Sequence, residues 1–557
     1  MAVVVVAPVL VALVTAVVAL GVGGLAGGRA VRAVSLLGGI AYAASVGALV
    51  RAVAVPLGAS TALVHEVGGW APPFGIVLVA DGLSVFLLAL AAVVFVPVLA
   101  YAVVAVDGYG QRLSFHPLVH LMMAGVTGAF LTGDLFNLFV WFEVMLMASY
   151  VLVAFYSGPA HTRAALYYVV LNLVGSAVML LAVGGLYATT GTLNMADMAR
   201  RLADPAAYGV AMAPTLGLLA LLLAVFALKA GLVPFHAWVP AAYRAAPAPV
   251  TALLAGVVKK VGLYAVVRVG FTVFGAASLG VSLPGIAGDS ALAFLGPVLF
   301  VLAAASILFG GVAALARPDV EGVLAHSSIS QIGFVFLPLA VAATVPEVRA
   351  LGVTAALVYA FNHGLAKAGL FLVAGTLQDV LGTTQFGDLG GVAGRAPVLS
   401  GAFLVFALGL VGTPPLAGFL GKLLVFEAGV RALGAGGAGA GLVVALALAG
   451  AILTLAYYTR AWGAGFWGEP SPTVRERLPV PTAATGSEPA PDAATDGGQT
   501  PRALVVRVVA VVALAVAVAA FGVGGEALVA AAEGAAEAAV DTGGYVDAVD
   551  PAEVVDR

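Results

Sequence analysis

Among the residues that could do chemistry, five lysines come first: Lys229, Lys259, Lys260, Lys367 and Lys422, against nineteen arginines in 557 residues. The arginines carry most of the loop charge, and no lysine sits in an obviously hydrophilic loop. Each falls within or beside an apolar run, as in "FALKAGLVPFHAWVP" at 226–240. A charge at the centre of a membrane span costs about 2.5–3.5 kcal/mol on insertion scales, so it should face a partner or a water-filled cavity. Lysine suits proton traffic because its ammonium gives up a proton more readily when desolvated, whereas a guanidinium stays charged. Glu143, near the middle of "GDLFNLFVWFEVMLMASYVLVAF", is a carboxylate that could pair with Lys229 at similar depth. His363 and Lys367, in "NHGLAKAGLF", stand four apart and share a helix face. Plainer roles compete with this one. A lysine near a helix end can snorkel to the interface, and a lone glutamate can anchor a hydrogen bond. Lys259 and Lys260 point about 100° apart on a helix, so one is expected to face the pathway and the other to pack elsewhere. His116, His120 and His236 read as core histidines, and no spacing suggests a metal site.

The elements that must position these groups are membrane spans. The chain is 62% hydrophobic and 9% charged, where soluble domains carry roughly 25% charged residues. Runs long enough to cross a bilayer recur throughout, and about fourteen transmembrane helices are expected in an all-α polytopic membrane protein. The first run, "MAVVVVAPVLVALVTAVVAL", lacks a basic lead and reads as a retained span. Two runs, near 213–241 and 396–430, are too long for one straight helix and hold Pro234 and the pair Pro414 and Pro415. Proline removes a backbone hydrogen bond, so each predicts a helix broken inside the membrane. The arginines lie mostly in loops on one side if both termini are outside the cell membrane. Residues 469–502, with seven prolines, read as a disordered cytoplasmic linker before a last span at 503–525. The tail 526–557, with eight acids and one base, reads as a solvated, partly helical extension.

Several classes are excluded. With no cysteine, disulfides and thiolate metal or iron–sulfur sites are absent from this chain. A net charge of -3 argues against a nucleic-acid partner. "GAGGAG" at 434–439 fits a dinucleotide pattern, yet no strand precedes it and it joins two spans. No cofactor motif remains.

The two proline breaks, in "FALKAGLVPF" and "FALGLVGTPPLAGFLGK", fall at corresponding places and suggest an internal repeat. Three N-terminal spans (1–113) would precede two inverted five-helix repeats at 114–275 and 291–466. The motifs resemble the antiporter-like subunits shared by complex I and the Mrp multisubunit cation/proton antiporters, most of all the D-type subunits of Mrp. The resemblance runs over about residues 65–466 and rests on "GDLFNLFVWFEVMLMASYVL", "KAGLVPFHAWVPAAYRAAPAPVTALLAGVVKKVGLYAVVR", "SSISQIGF", "NHGLAKAGLF" and "GTPPLAGFLGK". It implies that Glu143 is the fifth-span glutamate and Lys229 the seventh-span lysine paired with it. It also implies that Lys260 links two half-channels, with His363 and Lys367 in the eleventh span and Lys422 in the twelfth. Lys259 and His326 depart from the family pattern: an uncharged residue and a tyrosine are usual there. His326 either adds a titratable site or packs against a neighbour.

What the resemblance implies is a proton-conducting subunit of an Na⁺/H⁺ antiporter, not an enzyme, working with other membrane subunits in the bilayer and moving protons against Na⁺. The alternative is a proton-pumping subunit of a respiratory complex linked to NADH, coenzyme F420 or a hydrogenase. A passive scaffold that keeps the fold without conduction is disfavoured by the intact lysine set.

Overall fold

The computed structural model describes residues 2–25, 27–54, 62–106, 114–278, 290–478 and 501–550. Apolar runs of this length satisfy every backbone group internally only as helices, and helices are what forms. In chain order the principal ones are α1 (Ala2–Leu25), α2 (Gly28–Ala54), α3 (Gly82–Ala105), α4 (Phe115–Leu131), α5 (Leu135–Val153) and α6 (Pro159–Thr190). They continue with α7 (Met212–Ala230), α8 (Trp238–Ala245), α9 (Ala248–Val273), α10 (Ala291–Leu315), α11 (Val320–Thr344) and α12 (Arg349–Leu381). Last come α13 (Pro397–Val411), α14 (Ala417–Gly434), α15 (Ala440–Ala461), α16 (Pro501–Val523), α17 (Gly525–Val540) and α18 (Thr542–Val549). A short antiparallel hairpin, Leu63–Glu66 with Val77–Ala80, precedes α3. Acids start several helices: Asp81, Asp134 and Asp319 each accept from the backbone N–H three residues on, filling a donor that the helix leaves open.

Among the described residues, twelve helices are long and apolar enough to cross a membrane, or thirteen with the bent pair that ends in α13. The expectation was about fourteen. The difference lies in short or charged helices: α4 has 17 residues, and α14 carries Lys422, Glu427 and Arg431.

The polar residues decide the layering. Helices α9 and α12 are enclosed on all sides and α11 nearly so, and these three carry Lys259, Lys260, His326, His363 and Lys367. Helices α1, α2, α6, α10, α15 and α16 are more open, with Leu181 and Leu442 among their exposed side chains. In lipid no hydrophobic force draws helices together, so small residues set how closely they approach. A Cβ on Gly256 of α9 would lie 3.0 Å from the Gly364 carbonyl of α12, and one on Gly364 would lie 2.8 Å from the Gly256 carbonyl. That contact brings the lysines of α9 within reach of α12.

Two expectations are corrected at the C-terminal end. The tail from Glu526 is not a solvated extension: α17 packs on α3 and α12. Its buried face is Leu528, Ala532, Ala535, Ala536 and Ala539, at helical spacing, while Glu526, Glu533 and Glu537 stay exposed. The linker expected over 469–502 is ordered at its start, where Ser471 caps the short helix Pro472–Arg477 and Val474 is buried. Most of the remainder lies outside the described residues, as do Arg112 and the last seven residues.

Candidate functional site: a buried line of lysines between two broken helices

Both expected breaks are present. Helix α7 ends at Gly231, whose φ of 73° is left-handed, and the chain passes Pro234 before α8 begins. Helix α13 ends at Gly412, φ 91°, and passes Pro414 and Pro415 before α14. A broken helix frees backbone groups that must be satisfied. At the first break the Trp238 indole N–H donates to the Leu228 carbonyl (2.8 Å), and the Val233 N–H donates to Ser306 Oγ (2.9 Å). At the second, Lys422 Nζ donates to the Val411 carbonyl (3.0 Å) and Asn362 Nδ2 to the Gly409 carbonyl (3.2 Å).

All five lysines are buried, with Lys259, Lys260 and Lys367 fully inaccessible. Lys229 occupies the last turn of α7, and its Nζ has no hydrogen-bond partner among the described residues. Glu143 of α5 does not form an ion pair with it. Glu143 instead accepts a hydrogen bond from Ser176 of α6. The structure therefore holds the expected pair apart.

Lys260 Nζ is 2.7 Å from His363 Nδ1 and 2.8 Å from the Ala255 carbonyl. Lys259, expected to point away from Lys260, reaches a different helix. Its Nζ is 3.3 Å from the Ser328 carbonyl of α11 and lies against the first break, 3.1 Å from where a Gly231 Cβ would stand. Lys367 Nζ donates to Ser327 Oγ, to the Leu324 carbonyl (3.1 Å) and to Tyr458 Oη (3.3 Å). Lys422 lies over the Phe334 ring, 4.8 Å from its centroid. His326 Nδ1 is 2.9 Å from the Gly322 carbonyl of its own helix, and so packs locally.

Several participants were not singled out in the sequence. Gln331 Nε2 donates to Thr454 Oγ1 (2.8 Å) and lies 2.7 Å from Tyr457 Oη, while Tyr359 Oη donates to Gln331 Oε1 and lies 3.4 Å from the Leu410 carbonyl. These groups extend the polar line from Lys367 towards the second break and Lys422. Gln331 sits inside "SSISQIGF", so its motif was visible, but its tyrosine partners on α12 and α15 carry no spacing signal. A second missed group is the ion pair of Arg268 with Asp81, 2.6 Å, buried at the far end of α9. His116 Nδ1 (2.9 Å) and His120 Nε2 (3.0 Å) share Ser35 Oγ, and the other ring nitrogen of each has no partner among the described residues.

A polar crevice of about 360 Å³ is bordered by Tyr101, His161, Arg244, Glu321, Gln378 and Asp379. Glu321 starts the turn of α11 that leads to Leu324 and Ser327, the partners of Lys367. Taken together, the arrangement can carry protons between side chains and water without covalent chemistry.

Residues 132–447 match the family described as NADH:quinone oxidoreductase/Mrp antiporter, transmembrane. The chain is 36% identical over 407 residues to the D-type subunit of the Na⁺/H⁺ antiporter of Alkalihalophilus pseudofirmus, covering 73% of this chain and 76% of that one. It is 37% identical over 426 residues to the N-type subunit of the NADH-quinone oxidoreductase of Desulforudis audaxviator, covering 75% and 79%. Among solved structures, a chain of the Mrp complex from a Dietzia species superposes with a TM-score of 0.80 at 30% identity, over 99% of this chain and 100% of that one. A chain of an archaeal membrane-bound sulfane sulfur reductase does so with a TM-score of 0.81 at 25% identity, over 98% and 99%.

Proposed function

Because this chain belongs to the NADH:quinone oxidoreductase/Mrp antiporter family of membrane subunits, we propose that it is the proton-conducting subunit of a multisubunit Na⁺/H⁺ antiporter in the cell membrane. The observation that carries the reading is the buried line of Lys229, Lys260, His363, Lys367 and Lys422, which runs between two helix breaks at Pro234 and at Pro414 and Pro415. None of these five groups is ion-paired in the described residues, whereas the buried Arg268 is, with Asp81. Protons would enter by water, hop between amine, imidazole and hydroxyl groups, and leave by water. Glu143 would alternate between Ser176 and Lys229, holding the lysine's proton when the pair is closed and releasing it when open. The inverted pairing of 114–275 with 291–466, and termini outside the cell, belong to this reading. Sodium would be the exchanged ion, and the other subunits would sit against the more open helices.

Two experiments test it. Lys229→Ala, recovered in an assembled complex, is expected to lower sodium-driven proton movement in vesicles at least tenfold, and Glu143→Gln several-fold. Unchanged exchange in Lys229→Ala sinks the proposal. The second experiment is mild-detergent purification of the chain with mass spectrometry of what stays bound. Its relatives include a subunit of a redox enzyme at nearly equal identity, which favours keeping one rival reading, a proton pump driven by electron transfer. Small membrane subunits alone support the antiporter, whereas flavin or iron–sulfur proteins among the bound chains support the pump.

A further inference from the structure

We infer that Lys259 is a second proton-carrying lysine of α9, joining the first helix break to Lys367 through α11, in parallel with the Lys260–His363 contact. The inference rests on the proton-conducting reading above. The two neighbouring lysines diverge from one turn of α9 and both end on polar groups. Lys260 reaches His363 on α12. Lys259 reaches the Ser328 carbonyl on α11, one residue from Ser327, whose hydroxyl takes a hydrogen bond from Lys367. Since His363 and Lys367 share one face of α12, the two routes leave α9 side by side and meet again one turn apart.

The surroundings of Lys259 fit a carrier better than an anchor. Its Nζ lies against Gly231, at the break that ends the turn bearing Lys229. The ammonium is fully buried, yet among the described residues its one hydrogen bond is to a carbonyl at 3.3 Å and no carboxylate pairs with it. The buried cation that does serve as an anchor, Arg268, is held by two carboxylate oxygens at 2.6 and 2.7 Å. A cation with so few partners is cheapest to keep when it can shed its proton. The step balances simply. The Lys259 ammonium gives one proton to a water, that water passes a proton on, and the neutral amine of Lys367 receives it.

The rival role is a fixed charge at the C-terminal end of α7, where a cation favours the helix dipole. Sodium-driven proton movement in vesicles holding the assembled complex separates the two, using Lys259→Arg, Lys259→Met, His363→Ala and the double variant Lys259→Met with His363→Ala. A carrier predicts that Lys259→Arg falls several-fold, because arginine keeps the charge and does not release a proton. It also predicts that the double variant is at least tenfold below His363→Ala, since both routes are cut. Wild-type exchange in Lys259→Arg, or a double variant no slower than His363→Ala, overturns the inference. If the methionine variants do not assemble, Lys259→Gln takes their place, and assembly only with lysine or arginine at wild-type rate also overturns it. Failure of the broader reading is distinct, because it would show as exchange that survives Lys229→Ala.

Discussion

A buried arginine and a buried lysine meet different needs, and the chain uses each accordingly. Arg268 is fully buried, bonds both oxygens of Asp81, donates to Tyr264 Oη at 3.2 Å and lies 4.7 Å from the Tyr545 ring centroid. Removing one partner of such a pair leaves a buried charge alone, at a cost of about 3–5 kcal/mol. Arg268→Met is therefore expected to lower the detergent-solubilised melting temperature sharply. Adding Asp81→Asn should recover part of the loss, since the orphaned charge is gone, and a melting temperature unmoved by Arg268→Met would show the pair to be idle. Nothing in sequence spacing joins residues 81 and 268. The lysines were legible because they are rare and lie in apolar runs; the hydroxyls of Ser327 and Tyr458 beside Lys367, and of Ser176 beside Glu143, were not, because an ordinary hydroxyl within a span carries no such signal.

At the scale of elements, the breaks do the positioning, and each depends on a glycine. A Cβ at Gly412 would lie 2.9 Å from Lys422 Cδ, and one at Gly231 would lie 2.7 Å from Val239 Cγ2 and 3.1 Å from Lys259 Nζ. Both residues are left-handed, a conformation that costs other residues roughly 1–2 kcal/mol. Gly231→Ala and Gly412→Ala are each expected to destabilise the chain by at least that amount and to lower exchange, because the substituent pushes on the lysine beside it. Gly217→Ala, on an open face of α7 with nothing within 4 Å, is the control, expected to be neutral or stabilising by about 0.5–1 kcal/mol. Thermal unfolding of the three variants decides it, and equal behaviour of all three would mean the breaks tolerate a side chain. The prolines made both breaks readable in advance. The bend before α13 falls at Pro397, which opens that helix and disfavours helical backbone in the residue before it.

For the molecule as a whole, the C-terminal tail changes what the fold depends on. Its acids marked it as solvated, but the apolar residues between them fall at helical spacing, a pattern hidden by alanines too small to register as a core face. Folded, α17 and α18 close the end of α9. Thr272 Oγ1 donates to the Ala539 carbonyl (2.7 Å), Thr542 Oγ1 donates to the Thr272 carbonyl (2.9 Å), and Tyr545 covers Arg268. That end of α9 winds as a π-helix from Val266 to Val273, a form usually found as single turns, so it depends on outside contacts. Two hydrogen bonds at roughly 1 kcal/mol each, a desolvated cation–π contact of about 2 kcal/mol and one apolar helix face are lost together if the chain stops after Gly524. Such a truncation is expected to lower the melting temperature and the yield of assembled complex, although it removes none of the lysines. Glu533→Gln with Glu537→Gln, which alters only exposed acids, should stay within about 0.5 kcal/mol of the parent. Size-exclusion after a heating series compares the three chains. A truncated chain as stable as the full one would mean that α9 holds its π-helical end unaided, and that the far end of the lysine helix needs no clamp.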